Sequence, residues 1–232
     1  MIKTAIILAG GLGKRLRPFT NSIPKPLLPV GKNSILSIII NHLAKNSFNR
    51  IIIATRYKSE KFKVEIPRLK KKHKKIEFIL SEEKKKLGTC GPIKIVDKYL
   101  PDKFLVINGD IITDLNLNKI YNKFIKSKSK FLVVIKNIIT PFEFGKIIIK
   151  DKKIINIKEK PISKDTIIAG IYFLDKKCLE YIPSNTYFGM DNLINFFLKS
   201  KKTLNTHLIK KEYWVDVGRQ SDYEKVKKKI SI

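Results

Sequence analysis

Residues 4–26 read TAIILAGGLGKRLRPFTNSIPKP. Ala5 to Leu8 is an apolar run that reads as a buried strand. Gly10, Gly11 and Gly13 follow it, then Lys14, Arg15 and Arg17, and the stretch closes at Lys25 between Pro24 and Pro26. A glycine-rich turn after an apolar strand, with cations beside it, suits phosphate, because backbone N–H groups and positive charge converge on one anion. Two common phosphate loops do not fit. A Walker A loop would need a glycine where Leu8 stands and a hydroxyl where Arg15 stands. A dinucleotide fingerprint would need a third glycine where the chain has Leu16, and a larger residue there crowds helix against strand.

Outward from this loop, strand and helix patterns alternate. Strands are expected at Lys3–Leu8, Arg50–Ala54, Lys75–Leu80, Lys103–Ile107 and Phe131–Lys136. Helices are expected between them at Ile35–Lys45, Tyr57–Lys72, Thr89–Leu100 and Asn116–Lys126. Such alternation predicts an α/β fold with a mainly parallel sheet and helices on both faces. After about residue 140 the texture changes: FGKIIIKDKKIINIKEKP reads as a hairpin turning at 151–153. A strand at Ile167–Leu174 and helices at Asp191–Lys199 and Arg219–Lys229 complete the pattern. No Pro/Gly/Ser-rich linker separates the halves, so a single domain with a small antiparallel insertion is expected.

The 232 residues are 43% apolar, enough for one sizeable core and unlike a disordered tail. No apolar run approaches the roughly 18–20 residues that cross a bilayer, and the start does not read as a signal peptide. A cytoplasmic protein with no membrane partner is the expectation. The two cysteines, Cys90 and Cys178, then read as reduced thiols, and no zinc spacing or Cys–His nucleophile pair is visible. The net charge of +29 raises the question of nucleic acid. Only six of the 49 basic residues are arginine, namely Arg15, Arg17, Arg50, Arg56, Arg68 and Arg219, and the lysines spread along the whole chain. Base-reading and phosphate-forking surfaces lean on arginine, so no nucleic-acid partner is expected. The excess charge instead draws anionic substrates.

The opening stretch has the form G-G-x-G-x-R-L-x-P-x-T followed by P-K-P, and it is not alone. EEKKKLGTCGPI at 82–93, VINGDI at 106–111, FEFGKI at 142–147, EKP at 159–161, AGIYFLD at 169–175 and YWVDVGRQSDYEK at 213–225 follow it. In this order they resemble the sugar-1-phosphate nucleotidylyltransferases, over residues 2 to about 228, with guanylyltransferases the nearest group. The resemblance implies a mixed, mostly parallel Rossmann-like sheet in a single domain over 1–232, with a nucleotide-binding half at 1–137 and a sugar-binding half at 138–232. It implies transfer of a nucleotide from an NTP to a sugar 1-phosphate with release of pyrophosphate. Two polyanions must meet, so positioning and cationic stabilisation carry such chemistry and no covalent nucleophile is needed.

By the same resemblance, Leu8, Ala9, Gly10, Gly11 and Gly13 line the nucleotide, Arg15 holds the triphosphate, and Lys25 reaches the α-phosphate and the sugar phosphate. Asp110 and Asp216 are implied as a pair holding Mg2+ between the two substrates. Glu159 is implied at the sugar hydroxyls, Lys160 at the sugar phosphate, and Gly145 where the backbone approaches the sugar. Ile168 stands where many relatives carry an Asn that reads a sugar hydroxyl, which leaves the sugar open. Gly88 and Thr89 would face the base. Glu83 lies five residues before Gly88, where uridylyl and thymidylyl relatives commonly carry Gln. A carboxylate only accepts hydrogen bonds and suits the adjacent N1–H and N2–H donors of guanine, so the lean is to GTP, with dTTP or UTP as the alternative. A homodimer is an open expectation.

Overall fold

A computed structural model describes residues 2–230. In chain order the strands are β1 (Thr4–Leu8), β2 (Pro29–Val30), β3 (Asn33–Ser34), β4 (Arg50–Thr55), β5 (Glu77–Glu82), β6 (Lys103–Asn108), β7 (Ile111–Thr113), β8 (Phe131–Pro141), β9 (Lys146–Lys150), β10 (Lys153–Lys158), β11 (Ile162–Asp175), β12 (Asn205–Ile209) and β13 (Trp214–Asp216). The helices are α1 (Ile35–Lys45), α2 (Ser59–Lys72), α3 (Gly91–Ile95), α4 (Leu117–Lys126), α5 (Met190–Lys199) and α6 (Gln220–Ile230). Seven strands form one sheet in the order β12-β8-β11-β6-β1-β4-β5. All neighbouring pairs run parallel except those made by β11, which is antiparallel to both β6 and β8. The sheet is thus mixed and mostly parallel, as expected.

The continuous apolar runs are explained by burial on two sides. Ile7, Ile51, Ile53, Leu105 and Ile107 face a core shared with α1, α2, α4 and α6. Ile6, Ile52, Phe104 and Val106 face a second core under α3 and α5. Alternate residues of each strand enter different cores, so a polar residue has no solvated side to occupy. Helix α1 begins where the Ser34 hydroxyl accepts the Ser37 N–H at 3.1 Å, a side-chain cap of the kind the sequence marks at 33–34.

Four departures from the sequence reading have physical causes. The helix expected over 89–100 is broken: α3 ends at Ile95, Val96 leaves α geometry, and a 3-10 turn covers Asp97–Tyr99. Leu100 is then extended, the conformation that a following Pro101 favours. The strands at 131–136 and 167–174 both run longer, because β8 and β11 continue pairing outward to Pro141 and Ile162. Their register breaks between Ile168 and Tyr172, where Gly170 sits at φ +70° and a Cβ would lie 2.7 Å from the Asn108 amide nitrogen. Strand β12 escapes the sequence pattern because it is a short polar-edged strand that joins only at the sheet margin. The hairpin forms as expected, with β9 and β10 joined through Asp151 and Lys152, both at positive φ, while Lys153 already belongs to β10. Every residue of its two strands is exposed.

The last helix closes back on the first loop. The Tyr223 hydroxyl donates to the Pro29 carbonyl at 2.5 Å, the Gln220 amide donates to the Arg17 carbonyl at 2.9 Å, and the Phe19 and Tyr223 rings lie 5.6 Å apart. Tyr223 is buried, so its hydroxyl needs that acceptor. Tyr223→Phe is expected to cost about 1 kcal/mol. Thermal melting reads that loss as a fall of about 2–4 °C, and Tyr223→Ala, which also empties the ring's place, gives a larger one.

Candidate active site

The carboxyl ends of β1, β4 and β6 open into two adjoining clefts that share Leu8, Gly11 and Asp110. Open α/β sheets bind ligands at this edge, where the strands stop and loops diverge. The first cleft, of about 210 Å³, is walled by Leu8, Ala9, Gly11, Gly13, Lys14, Arg15, Lys25, Pro26, Gly109, Asp110 and Gly218. The second, of about 290 Å³, takes in Gly10, Arg56, Glu83, Lys86, Gly88, Thr89, Asn108 and Tyr187.

The glycine loop is shaped by specific contacts. Gly13 has φ +61°, and its carbonyl accepts the Thr20 hydroxyl at 2.9 Å, while a Cβ there would lie 2.8 Å from Thr20 Cγ2. Beyond it the P-K-P segment makes a 3-10 turn at Lys25–Leu27, in which the Leu28 N–H donates to the Lys25 carbonyl at 3.1 Å. Gly109 lets this turn close in, because a Cβ at 109 would lie 2.8 Å from the Leu8 carbonyl oxygen and 3.1 Å from Pro26 Cγ. As a result the Lys25 ammonium donates to Asp110 Oδ2 and stands 3.9 Å from Asp216 Oδ1.

Asp216 reaches the same place through a second pairing. β13 runs antiparallel to β7 with Asp216 opposite Ile111, and the Val217 N–H donates to the Asp110 carbonyl at 3.0 Å. The indole N–H of Trp214 donates to the Ala169 carbonyl at 2.9 Å, which anchors β13 against β11. Arg15 approaches from the other side: a Cβ at Gly218 would lie 3.2 Å from both Arg15 Nη2 and Asp216 Oδ1. Asp110 Oδ1 and Asp216 Oδ1 are buried and accept no hydrogen bond. Burial, and then the neighbouring Asp110 charge, push the Asp216 carboxyl above the usual carboxylate range, with Lys25 and Arg15 opposing.

At the second cleft Glu83 is buried, and its Oε2 accepts the Leu87 N–H at 3.2 Å. A Cβ on Gly10 would lie 2.9 Å from its Oε1, so a larger residue there would displace the Glu83 carboxylate. Gly88, at φ +78°, packs on the Phe188 carbonyl, and the Thr89 hydroxyl accepts the Met190 N–H at 2.6 Å. The Thr89 side chain therefore helps start α5. Cys90 and Cys178 are free and buried, and burial pushes the Cys178 thiol up to about 12, so it is no nucleophile at neutral pH.

Of the residues singled out in the sequence, the loop glycines, Arg15, Lys25, Asp110, Asp216, Glu83, Gly88 and Thr89 converge on the clefts or touch their walls. The set implied for the sugar does not: Gly145, Glu159, Lys160 and Ile168 line neither cleft. Gly145 and Glu159 do approach each other across the exposed hairpin, with a Cβ at 145 placed 3.0 Å from Glu159 Oε2. Arg56, Lys86, Asn108 and Tyr187 were missed. Arg56 and Asn108 end or follow strands at the ligand edge, a positional signal; Tyr187 carries none in the sequence.

A glycine loop, a half-buried lysine and two facing carboxylates at the ligand edge of a mixed α/β sheet define a phosphate-handling transferase site. The chain belongs to the nucleotidyl transferase family, whose profile matches residues 4–231. It is 35% identical over 226 residues to the bifunctional protein GlmU of Methanocaldococcus jannaschii, covering 94% of this chain and 52% of that protein. The chain thus spans about half the length of that relative. It is 31% identical over 230 residues to a D-glycero-alpha-D-manno-heptose 1-phosphate guanylyltransferase of Aneurinibacillus thermoaerophilus, covering 97% of each. Among solved structures, HddC from Yersinia pseudotuberculosis complexed with GMP-PN aligns with a TM-score of 0.73 at 28% identity, over 99% of this chain and all of that one. A putative glucose-1-phosphate thymidylyltransferase from Bacillus anthracis aligns with a TM-score of 0.79 at 25% identity, over 100% of this chain and 96% of that one.

Burial also raises the pKa of Glu83 above the usual carboxylate range, against the Leu87 N–H and the Arg56 charge. The native state then holds this proton more tightly than the unfolded chain, so stability falls as pH rises through the folded pKa. Glu83→Gln, which keeps an acceptor for Leu87, is expected to raise the melting temperature at pH 7–8 and to bring no gain near pH 4. Melting curves across that range check it.

Proposed function

We propose that this chain transfers a guanylyl group from GTP to a sugar 1-phosphate, forming a GDP-sugar and pyrophosphate. The observation that carries the reading is the convergence of Lys25, Asp110 and Asp216 where the glycine loop meets the ends of β1 and β6. The sugar-phosphate oxygen attacks the α-phosphorus in line, a new P–O bond forms, and the bond to pyrophosphate breaks. Lys25 lies where it can hold the incoming phosphate against the α-phosphate. Arg15, at the outer wall, presents a planar fork to the triphosphate and to the charge that gathers on departing pyrophosphate. The loop backbone of Gly10 to Gly13 brings the nucleotide close without side-chain clash.

The donor set fits Mg2+. Asp110 Oδ1 and Asp216 Oδ1 are hard oxygen donors, buried and without hydrogen bonds, on two carboxylates that share the ammonium of Lys25. Among the described residues no third His, Cys, Asp or Glu joins them, which leaves room for phosphate oxygens and water. Bound there, Mg2+ would neutralise phosphate charge and orient the two substrates. The base reading is supported by Glu83, whose carboxylate lines the second cleft, and by the relatives named guanylyltransferases.

Pyrophosphate release measured across GTP, ATP, UTP, dTTP and CTP with several sugar 1-phosphates tests the reading. GTP is expected to be the best donor; a preference for UTP or dTTP would replace the guanylyl assignment by the uridylyl or thymidylyl one. Asp110→Asn and Asp216→Asn are each expected to lower turnover by at least about 100-fold while the protein stays folded.

A further inference from the structure

We propose that Arg56 is a second base-reading residue, acting beside Glu83: its guanidinium donates to O6 and N7 of guanine while the Glu83 carboxylate accepts from N1–H and the N2 amino group. This inference rests on the guanylyl reading above and extends it to a residue the sequence motifs leave unassigned.

The placement is the first support. Arg56 follows directly on β4 and lines the second cleft together with Glu83, which follows directly on β5. Gly10 lies between them: a Cβ there would stand 2.9 Å from Glu83 Oε1 and 3.4 Å from Arg56 Cβ. The two side chains therefore leave adjacent strand ends and flank the same glycine as neighbours of opposite charge. Guanine presents the matching pattern, since O6 is bonded to the carbon next to N1. A cation that reads O6 must stand beside the anion that reads N1–H. Uracil and thymine alternate acceptor, donor and acceptor along that edge and offer no N7, so they cannot engage both groups in this way.

Arg56 is also uncommitted. Arg50 is bound to Glu77 and the Tyr99 carbonyl, and Arg68 faces Glu65. Among the described residues no carboxylate closes an ion pair on Arg56, although its charge is felt at Glu83. Glu83 keeps capacity too, because its contact with Leu87 uses one lone pair of a carboxylate that has about four acceptor sites. Residue type is the third support. In a chain with six arginines among 49 basic residues, a lysine would supply attraction alone. A fork onto two acceptors of one base edge needs the guanidinium.

The test compares GTP, 7-deaza-GTP, ITP and UTP as donors and as ligands of the purified full chain, for the wild type, Arg56→Lys and Glu83→Gln. The wild type is expected to prefer GTP over 7-deaza-GTP, which lacks the N7 acceptor, by about 10-fold or more in kcat/KM and in equilibrium binding. Arg56→Lys keeps the charge and is expected to treat GTP and 7-deaza-GTP alike while still preferring GTP to ITP. Glu83→Gln is expected to do the reverse, losing the preference for GTP over ITP and keeping the one against 7-deaza-GTP. If Arg56→Lys weakens GTP, 7-deaza-GTP and UTP by one common factor, Arg56 serves phosphates or the fold and the inference is overturned. A wild type that favours GTP yet ignores N7 overturns the role of Arg56 and leaves the guanylyl reading standing. A wild type that favours another base overturns both.

Discussion

The site depends on two carboxylates held against each other by one ammonium. Asp110 and Asp216 come from remote parts of the chain, and each keeps an oxygen buried without a hydrogen bond. Burial and the Asp110 charge raise the Asp216 carboxyl, and Lys25 and Arg15 oppose that shift. Such a cluster is unfavourable unless the backbone holds it, because like charges and desolvation both push the groups apart. Here three devices do the holding. Gly109 admits the P-K-P turn, β13 pairs with β7 so that Asp216 stands opposite Ile111, and α6 binds the opening loop through Tyr223 and Gln220. The charge cluster is the common target of all three, and its unpartnered hard oxygens are what the proposed divalent cation would bind.

The glycine loop divides the functional space. On one side of Gly11 lie Arg15, Lys25 and Asp110, a charged wall suited to phosphates. On the other lie Glu83, Arg56, Gly88 and Thr89, a smaller set of directional groups suited to a base. The loop is thin enough to serve both because its residues lack side chains where Glu83, Arg56 and Thr20 press in. In the proposed function the reacting phosphate and the base would be read by separate groups, so selectivity could change without disturbing the charge cluster.

Much of this was legible from residues 4–26 and the motifs that follow. Continuous apolar runs marked the parallel strands, and alternation marked the α/β class, since both signals come from local burial. The errors lie where pairing partners decide. The extension of β8 and β11 and the edge strand β12 are set by neighbours remote in sequence, which no local window contains. The same limit applies to the site. Gly145, Glu159 and Lys160 share an exposed hairpin, and none of them lines either cleft. Arg56 and Tyr187 belong to the clefts but to no motif.

The sequence by itself determined the elements, the glycine loop and the residue types able to handle phosphate, because backbone permissiveness, apolar periodicity and charge are properties of short segments. Only the tertiary structure decided that Asp216 faces Asp110 across Lys25, that Thr89 spends its hydroxyl on α5, and that Arg56 stands beside Glu83. Those outcomes follow from strand register and from the close approach that single glycines permit, and both are settled only when distant segments pack together.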